Sequence, residues 1–162
     1  MKPEIINNFL DEKTFKELKE LVFSNTFPWY LQMGVAEKGE NSNHFYFTHL
    51  LYDSEKDYDK SPYFERFEPI FKKLNMKKHI RSKLNCYIRT KELEKHSTHR
   101  DQNYSHKGFI LPFNTNNGFT EFDDCMIKAI ENRGYKFDPS IPHNSTSCTD
   151  AEVRMNINVN YT

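Results

Sequence analysis

Near its end the chain reads Val153-Arg154-Met155-Asn156-Ile157-Asn158-Val159-Asn160-Tyr161, a strict alternation of apolar and polar residues. Because successive side chains of a strand point to opposite faces, this alternation predicts a β-strand with one apolar and one polar face. Two interpretations of the polar face stay open. It faces water, as in many antiparallel sheets, or it lines an interior cavity while the apolar face packs against helices.

Several short extended segments precede this strand. They lie at residues 84–89, 108–113, 119–122, 125–130, 135–138 and 141–144. Turn sequences such as Asn116-Asn117-Gly118 and Asn132-Arg133-Gly134 separate them. Short strands at this spacing predict an antiparallel barrel or sandwich rather than alternating βαβ units.

The first half of the chain has mainly helical patterns. Asp11 can cap a helix that runs to about Phe23. A second helix is predicted to open at Ser61-Pro62, with proline at its first position, and to kink or break at Pro69. Between them, the aromatic run His44-Phe45-Tyr46-Phe47 predicts a strand.

The composition indicates the class of protein. A length of 162 residues suits one domain, which we divide into a helical support region at 1–83 and a β-rich core at 84–162. The 23 basic and 23 acidic residues balance, so no nucleic-acid or membrane partner is predicted. No signal peptide or membrane-spanning run is visible. The 3 cysteines lack CxxC pairing, which favours a reduced, cytoplasmic location.

The motif His99-Arg100-Asp101 is the most informative sign of chemistry. On an extended chain His99 and Asp101 project to the same face, and they supply two of the three ligands of a 2-His-1-carboxylate iron site. His143, on a later strand, is the best candidate for the third ligand. A guanidinium at Arg154, on the polar face of the last strand, would hold a carboxylate through two hydrogen bonds.

In combination these pieces resemble the iron(II)- and 2-oxoglutarate-dependent oxygenases, in particular the prolyl-4-hydroxylase-like branch with its short bacterial and phage-type members. The matching segments are Asn85-Cys86-Tyr87, His99-Arg100-Asp101, Pro112-Phe113-Asn114, Asn117-Gly118-Phe119-Thr120-Glu121-Phe122, Ile141-Pro142-His143 and Arg154, with Ile5-Ile6-Asn7-Asn8-Phe9-Leu10 at the start. Two departures stand out. Phe119 replaces the second glycine of the family's hairpin, and Leu111-Pro112 stands where relatives often have two aromatics, which would remove a hydrogen bond to the co-substrate.

The resemblance implies a mainly β fold, a double-stranded β-helix (jelly roll) packed against N-terminal helices. It implies Fe(II) held by His99, Asp101 and His143, and 2-oxoglutarate held by Arg154 and Tyr87. The implied activity is that of a dioxygenase, which hydroxylates a C–H bond with O₂ and releases succinate and CO₂. The branch suggests a prolyl residue in a peptide or protein as substrate, while other relatives act on small molecules. A requirement for ascorbate stays open.

Two alternatives remain at this stage. One is a metal-binding jelly roll without oxygenase activity, and the other is a non-enzymatic β-sandwich interaction domain. A basic cluster also has two interpretations, as an attractor of acidic partners or as a solvated helix end and strand. Its members are Lys72, Lys73, Lys77, Lys78, Arg81 and Lys83.

Overall fold

A computed structural model describes residues 2–34, 45–56 and 60–162 of the chain. Within these residues the elements are β1 (Glu4–Ile6), α1 (Glu12–Phe23), β2 (Tyr30–Met33), β3 (Phe45–Asp53), a 3-10 helix (Phe64–Phe67), α2 (Glu68–Leu74), β4 (His79–Ile88), β5 (Lys107–Pro112), β6 (Phe119–Phe122), β7 (Cys125–Lys128), β8 (Gly134–Phe137), β9 (His143–Ser145) and β10 (Val153–Tyr161). In these ranges no helix is both long and apolar enough to pass through a membrane.

The strands form two antiparallel sheets. The large sheet has seven strands in the order β1-β8-β5-β10-β4-β3-β2, and the small sheet has the order β7-β6-β9. Residues 94–101 run antiparallel to β9, where they make backbone hydrogen bonds such as His96 N–H to Ser145 O at 2.9 Å. The small sheet is thereby extended toward the segment that carries the His-x-Asp motif.

Helix α1 matches its prediction closely. Asp11 is the N-cap, and its carboxylate accepts a hydrogen bond from Thr14 N at 3.0 Å. This bond satisfies one of the free N–H groups of the first turn, and the loss of such a cap typically costs about 1 kcal/mol. Phe15, Leu18 and Val22 form the buried stripe of the helix.

The second predicted helix is divided in two. Pro62 does not open an α-helix; a 3-10 helix begins at Phe64, and α2 then begins at Glu68 with Pro69 in its first turn. The predicted break at Pro69 is confirmed, because proline lacks an N–H and its ring would clash with the preceding turn of a continuous helix. Pro69, and not Pro62, occupies the favourable position at a helix start.

The region before residue 83 is less helical than predicted. Strands β1, β2 and β3 lie in it, and β4 begins at His79 rather than at residue 84. The predicted strand at residues 44–47 is confirmed from Phe45 onward and continues to Asp53, while His44 lies outside the described residues. Strand β3 hydrogen-bonds to β4 along most of the length of β3, and this pairing joins the N-terminal strands to the core strands.

The two faces of β10 have different surroundings. Met155, Ile157, Val159 and Tyr161 belong to the main hydrophobic core, together with side chains from α1, the 3-10 helix and α2. The apolar face therefore packs against the helices, as in the second of the two interpretations of this strand. The opposite face, which includes Arg154, is turned toward the small sheet.

Candidate active site

The backbone places His99 and His143 side by side. Each of these two residues donates its backbone N–H to the carbonyl of the other, at 2.9 and 3.0 Å, which is the pattern of a hydrogen-bonded antiparallel pair. Side chains of such a pair lie on the same face, and the two imidazole centroids are 4.6 Å apart. Residues 44 positions apart in the chain thus present neighbouring rings.

Asp101 completes a cluster of three potential ligands. Its backbone N–H donates to Pro139 O at 2.9 Å, so the motif follows the same neighbouring segment that carries His143. Its Oδ1 is 3.7 Å from His99 Nε2. One ligand atom from each of His99, Asp101 and His143 lies within 4.8 Å of the others, and we call this set the metal cluster.

Both histidines are oriented so that one nitrogen is available to a metal. His143 Nδ1 donates to Ile141 O at 2.9 Å, and His99 Nδ1 donates to Ser97 O at 3.2 Å. A neutral imidazole with its proton on Nδ1 carries a lone pair on Nε2, the form that binds metals. Burial lowers the pKa of His143, which keeps this ring neutral at physiological pH.

Asp101 is held as an ionised carboxylate. Its Oδ2 accepts hydrogen bonds from Asn158 Nδ2 and Asn160 Nδ2, both at 3.1 Å, and its Oδ1 lies 3.3 Å from Arg81 Nη2. Burial acts to raise the pKa of this carboxyl, but the neighbouring His99 ring and the charge of Arg81 outweigh it and lower the pKa well below its usual range. The carboxylate is therefore charged and fixed in orientation.

The donor set fits iron(II). Two imidazoles and one carboxylate with open positions are the facial triad of non-haem iron oxygenases, whereas a structural zinc site normally has four protein ligands. In residues 2–34, 45–56 and 60–162, the metal cluster is the only group of three or more His, Cys, Asp or Glu side chains with this proximity. The structure brings the three predicted ligands together.

Arg154 is buried without an anionic partner. Its side chain is 2% exposed, Nη1 donates to Thr146 O at 3.0 Å, and Nη2 donates to Thr120 Oγ1 at 3.1 Å. The buried Nε has no hydrogen-bond partner. In the described part of the chain no carboxylate lies within ion-pair distance of this guanidinium. We call Arg154, Thr120 and Thr146 the anion end, because a buried unpaired cation is costly unless an anion joins it.

Gly118 makes room for Arg154. A Cβ added at Gly118 would lie 2.6 Å from Arg154 Cδ and 2.5 Å from Ser147 O. These distances are shorter than any real contact, so a side chain here would displace the arginine or the backbone. The glycine of the hairpin motif therefore has a packing role next to the anion end.

Tyr87 lies between the anion end and a second tyrosine. The guanidinium carbon of Arg154 is 5.3 Å from the Tyr87 ring centroid, and the Tyr87 ring stacks on Tyr46 at 5.3 Å with an interplanar angle of 7°. His96 also stacks on Tyr87, at 5.0 Å. Tyr87 thus contacts the predicted co-substrate arginine mainly through its ring face.

The family departures have local consequences. Pro112 pairs with Asn156 across β5 and β10 and brings no hydrogen-bond donor to the site. Tyr135, on the neighbouring strand β8, donates its hydroxyl to Thr120 Oγ1 at 2.7 Å and so reaches the anion end from another direction. Phe119 is buried, and its N–H donates to Thr146 Oγ1 at 2.9 Å.

Several residues on the polar face of the candidate site were not singled out from the sequence. Asn158 and Asn160 appeared only as members of a polar face, and Arg81 and Lys83 only as parts of a basic cluster. The structure divides that cluster, because Lys72, Lys73, Lys77 and Lys78 are exposed whereas Arg81 contacts Asp101. The sequence could have predicted this, because residues two positions apart on a strand point to the same face. Arg81, Lys83 and Tyr87 all occupy odd-numbered positions of one strand and must share a face.

Comparison with known proteins identifies the fold. No protein-family model matches the sequence, and none of the curated proteins matches it. Solved structures do match over nearly the whole chain. A viral collagen prolyl hydroxylase from Paramecium Bursaria Chlorella virus-1, solved with 2OG, has a TM-score of 0.66 and 12% identity, over 99% of this chain and 95% of that chain.

Two further prolyl hydroxylases are similar. The enzyme from Trichoplax adhaerens, solved with a peptide fragment of hypoxia inducible factor, has a TM-score of 0.69 and 14% identity, over 98% of this chain and 82% of that chain. A Pseudomonas putida prolyl-4-hydroxylase has a TM-score of 0.66 and 8% identity, over 98% and 91%. At such identities the likeness shows the fold, which is the predicted mainly β double-stranded β-helix of the 2OG-Fe(II) prolyl hydroxylases.

Proposed function

We propose that this chain is an iron(II)- and 2-oxoglutarate-dependent dioxygenase that hydroxylates a C–H bond of its substrate. The observation that carries the proposal is the pairing of two features in one fold: a His-Asp-His cluster and, on the same sheet face as the residues that hold Asp101, a buried arginine without an anion. Either feature alone is compatible with a different role. Together they supply a site for a divalent metal and a site for an anionic co-substrate.

In this proposal His99, Asp101 and His143 hold the iron. O₂ is the oxidant: with iron(II) bound to activate it, one oxygen atom would enter the substrate C–H bond and the other would enter succinate as 2-oxoglutarate loses CO₂. Asp101 is oriented by Asn158, Asn160 and Arg81. Mutation of such supporting residues typically lowers metal affinity or activity about 10- to 100-fold. The chain's own contribution is thus binding and orientation.

The anion end binds the distal carboxylate of 2-oxoglutarate. Arg154 Nε is the free donor, and Thr120 Oγ1 already receives hydrogen bonds from Arg154 and Tyr135. Tyr87 lines the co-substrate pocket through its ring. The ion pair between a buried arginine and a carboxylate is both strong and directional.

A prolyl residue in a peptide or protein is the first substrate to test, since the structural relatives include a collagen prolyl hydroxylase and an enzyme solved with a hypoxia inducible factor peptide. A small molecule is the second. Mass spectrometry of candidate peptides and of a cell lysate after turnover identifies the substrate by the gain of one oxygen atom. Parallel reactions with and without ascorbate decide whether a reductant is required.

Turnover of 2-oxoglutarate tests the proposal. We expect iron-dependent production of succinate by the purified protein, lost in His99→Ala and in Asp101→Ala. Arg100→Ala is the matched control, because Arg100 lies between the two ligands and is exposed. Succinate production that survives both ligand changes contradicts the site assignment. Metal binding without any effect of 2-oxoglutarate would instead favour a metal-binding jelly roll that is not an oxygenase.

A further inference from the structure

Two cations of strand β4 face the candidate active site. Arg81 and Lys83 share one face of β4 with Asn85 and Tyr87, and the β4–β10 register places Arg81 opposite Asn160 and Lys83 opposite Asn158. The residues between them in sequence point the other way, and Leu84 belongs to the main core. The face that carries the co-substrate arginine therefore carries two further positive charges.

Among the described residues, the hydrogen-bond partner of Lys83 is neutral. Its Nζ is 3.4 Å from Tyr46 Oη and 5.7 Å from the centroid of the Tyr46 ring. Burial and the nearby charge of Arg81 lower the pKa of Lys83 to about 8, so the ammonium is still mostly charged at neutral pH. Burial raises the pKa of Tyr46, which leaves that hydroxyl uncharged.

The carboxylates near Lys83 are engaged elsewhere. Asp101 contacts Arg81, Asn158 and Asn160. Asp53, opposite Arg81 on β3, accepts a hydrogen bond from Glu55 N at 3.1 Å and lies 3.7 Å from Lys56 Nζ. Across the described ranges, no carboxylate is within ion-pair distance of Lys83.

A simple charge balance indicates what is missing. A divalent metal, Asp101, Arg154 and the dianion 2-oxoglutarate together are formally neutral. Arg81 and Lys83 then remain as surplus positive charge, of which Arg81 is at least ion-paired with a carboxylate. A partly buried ammonium without an anion is unfavourable, so a ligand that supplies the anion would gain binding energy there.

We propose that Lys83 binds a carboxylate group of the substrate and so selects an acidic substrate for this site. The proposal rests on the function proposed above and names its substrate class. Lys83 and Tyr87 are four residues apart on one strand, which separates their Cα atoms by about 13 Å. The rings of Tyr46 and Tyr87 are stacked and form an aromatic wall. Arg154 lies against Tyr87 at one end of this wall, and Lys83 lies against Tyr46 at the other end. The co-substrate occupies one end of this aromatic wall and the acidic substrate occupies the other.

The test compares Lys83→Met with Lys78→Met. Methionine keeps the unbranched stem and removes the charge, and Lys78 is an exposed member of the same basic cluster. In the ligand-free protein we expect the melting temperature of Lys83→Met to equal or exceed that of the wild type. A clear decrease, absent in Lys78→Met, would mean that the ammonium is already compensated within the fold, and it would overturn the proposal.

Ligand binding is then measured with Mn(II) and saturating 2-oxoglutarate. The probes are N-acetyl amino acids, proline included, each as the free carboxylate and as the matched carboxamide. We expect the wild type and Lys78→Met to bind at least one carboxylate about tenfold or more tightly than its amide, and Lys83→Met to lose this preference. A preference that is absent from the wild type, or that persists in Lys83→Met, overturns the role of Lys83.

The 2-oxoglutarate step of the same experiment separates this inference from the proposed function. If Mn(II) and 2-oxoglutarate fail to stabilise the wild type, the proposed function fails and the role of Lys83 fails with it. If they stabilise the wild type but not Lys83→Met, Lys83 belongs to the co-substrate site, and its assignment to the substrate is wrong. The expected result is that Mn(II) and 2-oxoglutarate stabilise the wild type and Lys83→Met equally.

Discussion

The metal cluster and the anion end are built in opposite ways. Each member of the metal cluster is already hydrogen-bonded by the protein, the imidazoles to backbone carbonyls and Asp101 to two asparagines. The anion end instead leaves Arg154 Nε buried without a partner. The fold thus holds the candidate metal ligands in place in advance, whereas the anion end is left to be completed by the anionic co-substrate of the proposed function.

The stability of the ligand-free protein gives the largest expected contrast. Asp101→Ala leaves Arg81, Asn158 and Asn160 without their acceptor, and we expect the free energy of unfolding to fall by about 3 kcal/mol. Arg154→Met removes an uncompensated cation, so its free energy of unfolding should change little or increase. Urea denaturation of both variants without metal measures the contrast. Equal destabilisation would show that the two ends do not differ.

The asparagines test the metal cluster alone. Asn158→Ala removes one of the two amide donors that fix Asp101 Oδ2, so we expect Mn(II) affinity to fall roughly 10- to 100-fold. Asn114→Ala is a useful control for side-chain amide loss, because Asn114 bonds to the backbone of residues 153 and 155 away from Asp101. A calorimetric titration with Mn(II) gives the affinities. Unchanged affinity in Asn158→Ala would mean that Asp101 needs no support from β10.

Gly118 tests the anion end alone. The new Cβ of Gly118→Ala would collide with Arg154 Cδ and Ser147 O, and Gly118 does not have a positive φ, so the effect arises from space and not from backbone strain. We expect 2-oxoglutarate affinity to fall about tenfold, as for the loss of one charge-assisted hydrogen bond, while Mn(II) affinity stays constant. A parallel fall of both affinities would indicate general misfolding of the site.

Tyr135 gives the smallest expected effect. Tyr135→Phe removes one hydrogen bond to Thr120 Oγ1 and keeps the ring, so 2-oxoglutarate should bind roughly two- to tenfold more weakly. The KM for 2-oxoglutarate should rise while Mn(II) affinity does not change. An unchanged KM would show that Thr120 is positioned without Tyr135.

Local patterns in the sequence predict much of the fold and the site. Alternation in 153–161 predicted the strand and its two faces, and Asp11 predicted the start of α1, because both signals depend on neighbouring residues. The contacts of Arg81 and Lys83 could not be predicted in this way. They depend on the register of β4 against β10, which is set by the packing of the whole sheet.

The helical support region shows the same limit. Strand β3 was predicted only for its first residues, and β2 was not predicted, because an edge strand with exposed side chains has no clear pattern of burial. Gly118 was visible only as part of a hairpin motif. Its role became evident when Arg154, 36 residues later, proved to fill the space beside it.

Arg154, in the proposed function, is kept free for an anionic co-substrate next to the metal cluster. A calorimetric titration probes this role without any knowledge of the substrate: 2-oxoglutarate is added to the Mn(II)-loaded wild type, Arg154→Met and Arg89→Met, an exposed control just beyond the end of β4. We expect tight binding to the wild type and to Arg89→Met, and binding to Arg154→Met that is about thirtyfold weaker or more. Equal affinity in all three proteins would show that Arg154 does not hold the co-substrate.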